Sequence, residues 1–413
     1  MDGTRTGIEA PRIGGAARPG LCTDCGVSRI GDGRACGRAC QFIRPDYPGL
    51  ERVAHGRAGA AEGDEGFFGV TRAMWRARLD PPAPGAQWTG LTTALAATLL
   101  AEGAVDAVLA TAPHPEDRWA PMPVIVTDPG ETARCRGMRM GYGPLLALLE
   151  PARAAGHRRI AVIGIPCQVY ALRALEAELG FDEITVIGTP CSDNTTTENF
   201  HAFLARLDSR PDTISYLEFR ADYRVELRFD DGRAPRTIPF LNLPLSDLPA
   251  DFFPMTCKTC VDYTNRLADI TVGYMGGDGD QWVIVRNARG QAALDRLGGR
   301  VTTRPLTDRG TRESAVRGFL VNVERAAGGL PVRRMPRWLR PIVAFLQPRT
   351  GPRGLEFARA RVEMKAIETV LHLRRAHPAR VKLMVPEHVW RLAARYGLTR
   401  RPDERGRFSP PEE

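Results

Sequence analysis

The sequence predicts an α/β fold with a mostly parallel central sheet, an antiparallel insertion, a cysteine-rich N-terminal loop and a helical C-terminal region. Three observations carry this expectation. Short apolar runs alternate with helical segments through the middle of the chain, so that HRRIAVIGI leads into PCQVYALRALEAELG and EITVIGT into PCSDNTTTENFHAFLARL. Repeated strand–helix units favour parallel pairing through helical crossovers. The period then changes between Ser215 and Phe240, where YRVELRF alternates and DDG supplies a turn, as in an antiparallel hairpin. Eight of the 9 cysteines fall into two sets of four, each containing a CxxC pair.

Taken in order, the opening MDGTRTGIEAPRIGGAARPG reads as a flexible lead. It lacks the charged start, apolar run and small-residue cleavage site of an export signal, and no long uncharged apolar stretch follows. The expectation is a cytoplasmic protein with no spanning helix, in which cysteine clusters serve metal or redox chemistry more readily than disulfides. Residues 86–101 open with a glycine-containing turn and continue as a helix, and 105–111 read as a strand. The repeated ending V-I-G-x-P-C sets Cys167 and Cys191 just beyond two strand ends, where neighbouring strands bring distant side chains to one crevice. Gly164 and Gly188 permit close approach there, and Pro166 and Pro190 restrict the turn. No GxGxxG phrase is present, so no dinucleotide fingerprint is read.

The CKTC pair, Cys257 and Cys260, precedes the apolar strand ADITVGYMG. Beyond about residue 296 the chain turns helical and basic, through SAVRGFLVNVERAAG, LEFARARVEMKAIETVLHLRRAH and PEHVWRLAARYG. Pro331, Pro336, Pro341, Pro348 and Pro352 interrupt this region. Three segments result: 1–80 with the lead and first cysteine set, 81–296 as an α/β core with an insertion at 215–240, and a basic helical region at 297–413.

Cys22, Cys25, Cys36 and Cys40 form one candidate four-thiolate site, and Cys167, Cys191, Cys257 and Cys260 a second. Four thiolates suit zinc and iron–sulfur centres alike. Cys135 stands apart as an ordinary buried thiol. The net charge of +9 does not by itself argue for nucleic acid, and no recurrent basic–aromatic surface accompanies it. Nucleic acid is therefore not expected as a partner. The densest basic run, Arg333, Arg334, Arg337 and Arg340, stands beside Trp338, Ile342, Val343, Phe345 and Leu346. It reads as a solvated face, a partner-docking site or a contact for a membrane surface, with Pro336 and Pro341 opposing one uninterrupted helix.

The phrases LCTDCG, HGR, FFGV, GAQWTG, EDRWAPMPVI, VIGIPCQVYALRALE, GTPCSDN, CKTCVDYTNRLADITVGYMG and QWVIVRN follow one another in an order that resembles the coenzyme F420 hydrogenase/dehydrogenase beta-subunit family. The likeness runs over roughly residues 20 to 400. EDRWAPMP, GTPCSDN and QWVIVRN draw it toward the branch holding ferredoxin-dependent divinyl chlorophyllide 8-vinyl reductase. The alternatives are 7-hydroxymethyl chlorophyll a reductase and an F420-reducing beta-like electron-transfer protein. The resemblance implies FAD and two [4Fe-4S] clusters, which would make the N-terminal loop an iron–sulfur loop and 81–296 a flavin/iron–sulfur catalytic core. It also implies reduced ferredoxin as donor and reduction of the C8 vinyl group of a divinyl chlorophyllide or protochlorophyllide to ethyl. Self-association is compatible with it.

Within this resemblance, Gln87, Thr89 and Gly90 of GAQWTG, with Arg118 and Asn194, are the expected flavin contacts, the following helix start favouring phosphate. The ordinary uses of the same residues are turn formation, capping and surface ion pairing. CRGMRMGY at 135–142 departs from the family's more polar segment. His114, Asp117 and Asp193 are the candidate proton-transfer groups, although each alone also suits a structural hydrogen bond. Trp88, Trp119, Tyr274 and Trp282 are aromatic candidates for the wall of a flat-ligand site.

Overall fold

The runs RIAVIG and EITVIG are apolar on both faces, as strands covered from two sides require, and they become adjacent strands in the computed structural model. The structure describes residues 7–11, 22–30, 35–220, 222–274, 279–329 and 335–406. Its strands are β1 (Ile8–Glu9), β2 (Ala73–Leu79), β3 (Ala107–Pro113), β4 (Pro121–Val126), β5 (Arg159–Gly164), β6 (Glu183–Gly188), β7 (Ile214–Phe219), β8 (Arg224–Phe229), β9 (Arg236–Pro239), β10 (Ile270–Gly273), β11 (Gln281–Val285), β12 (Val301–Arg304), β13 (Asp308–Arg309) and β14 (Arg353–Gly354).

Among the described residues, nine strands form one sheet in the order β1-β4-β3-β5-β6-β10-β11-β2-β12. Parallel pairing is confined to β3 with β5, β5 with β6 and β6 with β10. All other neighbours are antiparallel. The expected mostly parallel sheet is thus corrected to a mostly antiparallel one. The reason lies in the connections: β3 returns as β4 through a loop too short for a helical crossover, and β2 enters between two strands from much later in the chain. β1 corrects a second expectation, since Ile8 and Glu9 of the supposed flexible lead pair with Val126 and Ile125.

One face of the sheet carries the helices Pro166–Leu175, Leu355–Ala376 and Glu387–Ala394. Val27, Phe42, Tyr47 and Phe68 from the N-terminal segment join the same core. The opposite face is covered by Leu91–Ala101 and Ala288–Asp295. Strands β7, β8 and β9 form a separate antiparallel sheet, whose inner residues Ile214, Leu217, Val225 and Leu227 pack on Phe200, Phe203 and Leu204 of the helix Thr197–Leu207.

Buried charge locks these layers. Arg173 and Asp269, both fully buried, pair at 2.9 Å, and Arg266 pairs with Glu51 of the helix Tyr47–His55 at 3.0 Å. Arg286 donates to the carbonyls of Phe68, Val70 and Thr264. From the C-terminal side, Arg380 donates to the Phe42 carbonyl and Arg359 pairs with Asp64 at 2.8 Å. Among the described residues no helix is long and apolar enough to cross a membrane. The helix Arg340–Thr350 carries Pro341 in its first turn and Pro348 near its end. Pro331, Arg333, Arg334 and the MG of ADITVGYMG lie outside the described residues.

Candidate functional site

Gly164 ends β5 and stands in register with Gly188, which ends β6, so the two V-I-G-x-P-C phrases leave the sheet side by side. Cys167 then falls in the first turn of the helix Pro166–Leu175, and Cys191 in the loop before Thr197–Leu207. A Cβ on Gly188 would stand 2.6 Å from the Ala268 methyl and 2.8 Å from the Asn265 amide nitrogen; only glycine permits this approach. Asn265 uses it, donating to the Gly164 carbonyl at 2.7 Å and to that of Thr189 at 3.3 Å. The backbone N–H of Cys191 donates to the Tyr263 carbonyl at 3.0 Å. The CKTC segment is thereby brought to the same edge, with Cys257 in the short helix Met255–Lys258.

Cys167, Cys191, Cys257 and Cys260 line one small cavity of about 20 Å³, with Thr23, Gln41 and Asn194 among its other walls. The thiols have light polar contacts: Thr23 Oγ1 lies 3.4 Å from Cys167 Sγ, the Asn194 N–H 3.4 Å from Cys257 Sγ, and Gln41 Nε2 3.6 Å from Cys260 Sγ. Burial pushes the Cys167 thiol up to about 12 and that of Cys260 to about 11, and raises Cys191 and Cys257 further above their ordinary value. A buried neutral thiol must lose its proton to become a ligand. Four thiols on one wall are a donor set of the kind that ligates zinc or iron–sulfur centres, and the Asp193 carboxylate lies close behind them.

The N-terminal quartet does not form the expected iron–sulfur loop. Among the described residues no group of three or more His, Cys, Asp or Glu, in this quartet or in the second, is arranged to hold a metal ion. Cys36 lies in the short helix Ala35–Ala39, with Cys40 directly after it, and Cys25 is held by its carbonyl, which accepts from the Leu146 N–H at 3.0 Å. Burial raises the Cys25 and Cys40 thiols. Cys22 is only partly buried, and the loop 31–34 between these pairs lies outside the described residues. Cys135 is likewise a partly buried thiol, raised to about 11 by burial.

Behind the cavity stands a group that the sequence reading missed. Lys365 of the helix Leu355–Ala376 is 3% exposed on its side chain, and its ammonium lies 2.9 Å from Asp193 Oδ1, 2.7 Å from the Cys257 carbonyl and 3.2 Å from Glu368 Oε2. Burial holds the Asp193 carboxyl above its ordinary range, with Lys365 opposing. The available signal was a long helix whose core-facing positions include Glu363, Lys365, Glu368, Thr369 and His372.

A second cavity, of about 490 Å³, opens between the insertion and the far edge of the main sheet. Its walls include Arg78, Trp88, Thr89, Tyr216, Glu218, Arg220, Glu226, Arg228 and Arg353. The alternation of β7 and β8 explains the lining, because Tyr216 faces Arg228 and Glu218 faces Glu226 across the ladder. Arg228 stacks 4.2 Å above the Tyr216 ring and pairs with Glu226 at 2.7 Å. Trp88, at φ 56°, packs against Tyr274 with ring centroids 5.1 Å apart.

GAQWTG borders this cavity, but its polar groups already have partners. Thr89 is buried; its hydroxyl donates to Gln281 Oε1 at 2.9 Å and accepts from the Leu79 N–H at 3.1 Å. Gln281 also accepts from the Leu91 N–H at 2.9 Å, capping the helix after Gly90. Gln87 donates to the Leu217 carbonyl at 3.4 Å. Arg118 forms an exposed pair with Asp230 at 2.6 Å. Asn194 donates from Nδ2 to the Gly141 carbonyl at 2.8 Å, beside the thiols. His114 is exposed in the β3–β4 loop, its Nδ1 accepting from the Glu116 N–H at 3.3 Å. Asp117 binds His201 Nε2 at 2.8 Å; burial pushes its carboxyl up, but the His201 and Trp119 hydrogen bonds outweigh this and hold it low. Trp119 and Trp282 belong to cores.

Comparisons with known proteins now bear on this geometry. Two family models, for the N-terminal and the C-terminal parts of the coenzyme F420 hydrogenase/dehydrogenase beta subunit, match residues 74–150 and 157–309 respectively. The chain belongs to the coenzyme F420 hydrogenase/dehydrogenase beta-subunit family. It is 35% identical over 389 residues to 7-hydroxymethyl chlorophyll a reductase, chloroplastic, of Oryza sativa, covering 91% of this chain and 82% of that protein. It is 35% identical over 380 residues to an uncharacterized protein of Nostoc sp., covering 92% and 94% of the two chains. A match to one component of the F(420)H(2) dehydrogenase of Methanosarcina mazei is 28% identical and covers 52% of this chain and 59% of that one. A chain of the F420-reducing [NiFe] hydrogenase complex from Methanosarcina barkeri shares the fold, with a TM-score of 0.54, 20% identity and coverage of 74% and 93%.

Membership in the F420 hydrogenase/dehydrogenase beta-subunit family makes the chain an oxidoreductase of the electron-transfer type and is consistent with iron–sulfur and flavin use in related proteins. The expected divinyl chlorophyllide 8-vinyl reductase is overturned, since a relative matching nearly the whole chain is named as a hydroxymethyl reductase and none of those reported is named as a vinyl reductase. The phrases that favoured the vinyl branch explain the error. EDRWAPMP builds a hairpin held by Asp117–His201 and Arg118–Asp230, and GTPCSDN builds the thiol loop. Both phrases have an architectural use that does not depend on the pigment.

Proposed function

We propose that this chain is a reductase acting on a tetrapyrrole of the 7-hydroxymethyl chlorophyll type, with FAD, iron–sulfur clusters and reduced ferredoxin as donor. The observation that carries the reading is breadth: the match to the rice reductase spans 91% of this chain, against 52% for the F420H2 dehydrogenase component. In the reaction two electrons and two protons enter, the hydroxymethyl C–O bond breaks, a C–H bond replaces it, and the oxygen leaves as water. Iron–sulfur centres supply single electrons and a flavin couples them to two-electron chemistry.

The wall of Cys167, Cys191, Cys257 and Cys260 supports sulfur ligation of one cluster, with Lys365 and Asn265 holding the ligand loops. The larger cavity supports a flat aromatic ligand: it has the size of a ligand site, aromatic surface from Trp88 and Tyr216, and the cation of Arg78 to meet phosphate or carboxylate, while Arg220 and Arg228 are held by Glu226. Gly90 lets the GAQWTG turn form its border.

The F420 names of the two family models favour a second reading, in which the chain exchanges electrons with coenzyme F420. Anaerobic incubation of the full chain with reduced ferredoxin and 7-hydroxymethyl chlorophyll a separates the two. The expected product has lost the hydroxyl oxygen. An unchanged pigment together with ferredoxin-linked reduction of F420 replaces the first reading with the second.

A further inference from the structure

The helix Arg340–Thr350 contains no buried residue. Ile342, Phe345 and Leu346 are 50, 62 and 44% exposed, and Trp338, in the turn leading into the helix, is 72% exposed. Ile342, Phe345, Leu346 and Arg349 follow the i, i+3, i+4, i+7 spacing that puts side chains on one helix face. A folded chain normally turns such a face inward; a contiguous exposed one marks an interaction surface.

Charge identifies the occupant. The sequence has no Asp or Glu between Glu324 and Glu356, while arginines recur throughout the interval. Arg340 and Arg349 donate to the backbone carbonyls of Met335 and Phe345. Arg349 also stacks 4.0 Å over the Phe345 ring, which sets its charge at the edge of the apolar face. An acidic soluble partner would use the arginines and leave four large apolar side chains without a role. An apolar groove would do the reverse. An anionic bilayer surface uses both, with the apolar face in the headgroup–acyl boundary, the guanidinium groups at phosphate level and the indole between them. The helix is too short to span a bilayer, so it would lie in the plane of the surface.

We infer that the segment from Arg337 to Arg349 is an interfacial anchor that seats the protein on anionic lipid. The anchor adjoins the larger cavity: Tyr223 donates to the Pro352 carbonyl just after the helix, and Arg353 lines the cavity. The cavity rim is thereby held near the lipid surface. This inference rests on the exposed face and its charge, and stands whether or not the proposed reaction is correct.

Flotation of the full chain with phosphatidylcholine vesicles, with and without about 30% phosphatidylglycerol, tests it at low and high salt. The wild-type chain should float with the anionic vesicles at least about ten-fold more than with neutral ones, and high salt should reduce this. Ile342→Ser with Phe345→Ser, and separately Arg337→Gln with Arg349→Gln, should each lower anionic binding at least about five-fold, since apolar and cationic contributions add. All four positions lie on the unburied segment, and unchanged circular dichroism will establish that the variants are folded. Brominated lipid should quench tryptophan emission in the wild type and much less in Trp338→Phe. Equal binding by wild type and both double variants overturns the anchor. So does absence of vesicle binding with a concentration-dependent dimer that Ile342→Ser and Phe345→Ser abolish, which would make the face a contact between copies.

Discussion

The ammonium of Lys365 lies 2.7 Å from the carbonyl oxygen of Cys257, 108 residues earlier in the chain. The same ammonium binds Asp193, two residues beyond Cys191. One side chain of the C-terminal helix therefore fixes two of the three segments that carry the second thiol set.

Lys365→Met should leave the Asp193 and Glu368 carboxylates buried without their shared cation. Removing one partner of a buried charge group is worth about 3–5 kcal/mol of stability. The urea midpoint should fall accordingly, and Cys257 should react faster with a thiol reagent under native conditions. An unchanged midpoint would show that the carboxylates find another partner.

Cys257→Ser and Cys260→Ser should each lower bound iron and acid-labile sulfide in anaerobically purified protein, because serine replaces a thiolate ligand with a poorer donor. The comparison is made on chains with matching circular dichroism. Wild-type iron and sulfide in both variants would remove these cysteines from the ligand set.

Gly90→Ala tests the turn beside the larger cavity. Gly90 has φ 84°, and a Cβ there would stand 2.7 Å from that of Ala83 and 2.9 Å from that of Ala86. The left-handed conformation alone disfavours an L side chain by about 1–2 kcal/mol. Thermal unfolding should shift downward, and flavin retained after gel filtration should decrease. Wild-type values for both would show that the turn relaxes freely.

The His55 ring provides a pH signature. Burial is the main cause of its lowered pKa, about 4 in the fold against 6.5 for a free side chain, although the Arg266 carbonyl opposes the shift by accepting from Nε2. The unfolded chain thus binds the proton first as pH falls. This contribution to stability is complete above about pH 6.5 and declines toward pH 4, by at most about 3 kcal/mol. Wild type should lose more stability than His55→Gln between pH 7 and pH 5 in urea titrations. Parallel curves would assign the acid sensitivity elsewhere.

The central strands were legible because RIAVIG and EITVIG are apolar on both faces, and the convergence of Cys167, Cys191 and the CKTC pair followed from loops at strand ends. The sheet's edges were not. Nothing local in AMWRARL says that β2 sits between β11 and β12; long-range pairing decides it. Thr89 looked free for a ligand because its partner, Gln281, lies 192 residues away. Lys365 carried no signal of its own within a basic helical run, and becomes internal only when the thiol loops fold over it. The arginines around the larger cavity were hidden in an ordinary strand alternation, whose outward face acquires a role only when a second wall closes against it.

The position of β2 also orders events during synthesis. Its two neighbours, β11 and β12, emerge from the ribosome long after it, about 10–45 s later at ordinary elongation rates. Through that interval the N-terminal cysteines are already made but have no finished sheet to shelter them, and Arg380, which clasps the Phe42 carbonyl, comes later still. A nascent chain halted before β12 should therefore expose those thiols to alkylation, while the released chain protects them. The window in which these thiols stand open to oxidation is then the time the last third of the chain takes to arrive.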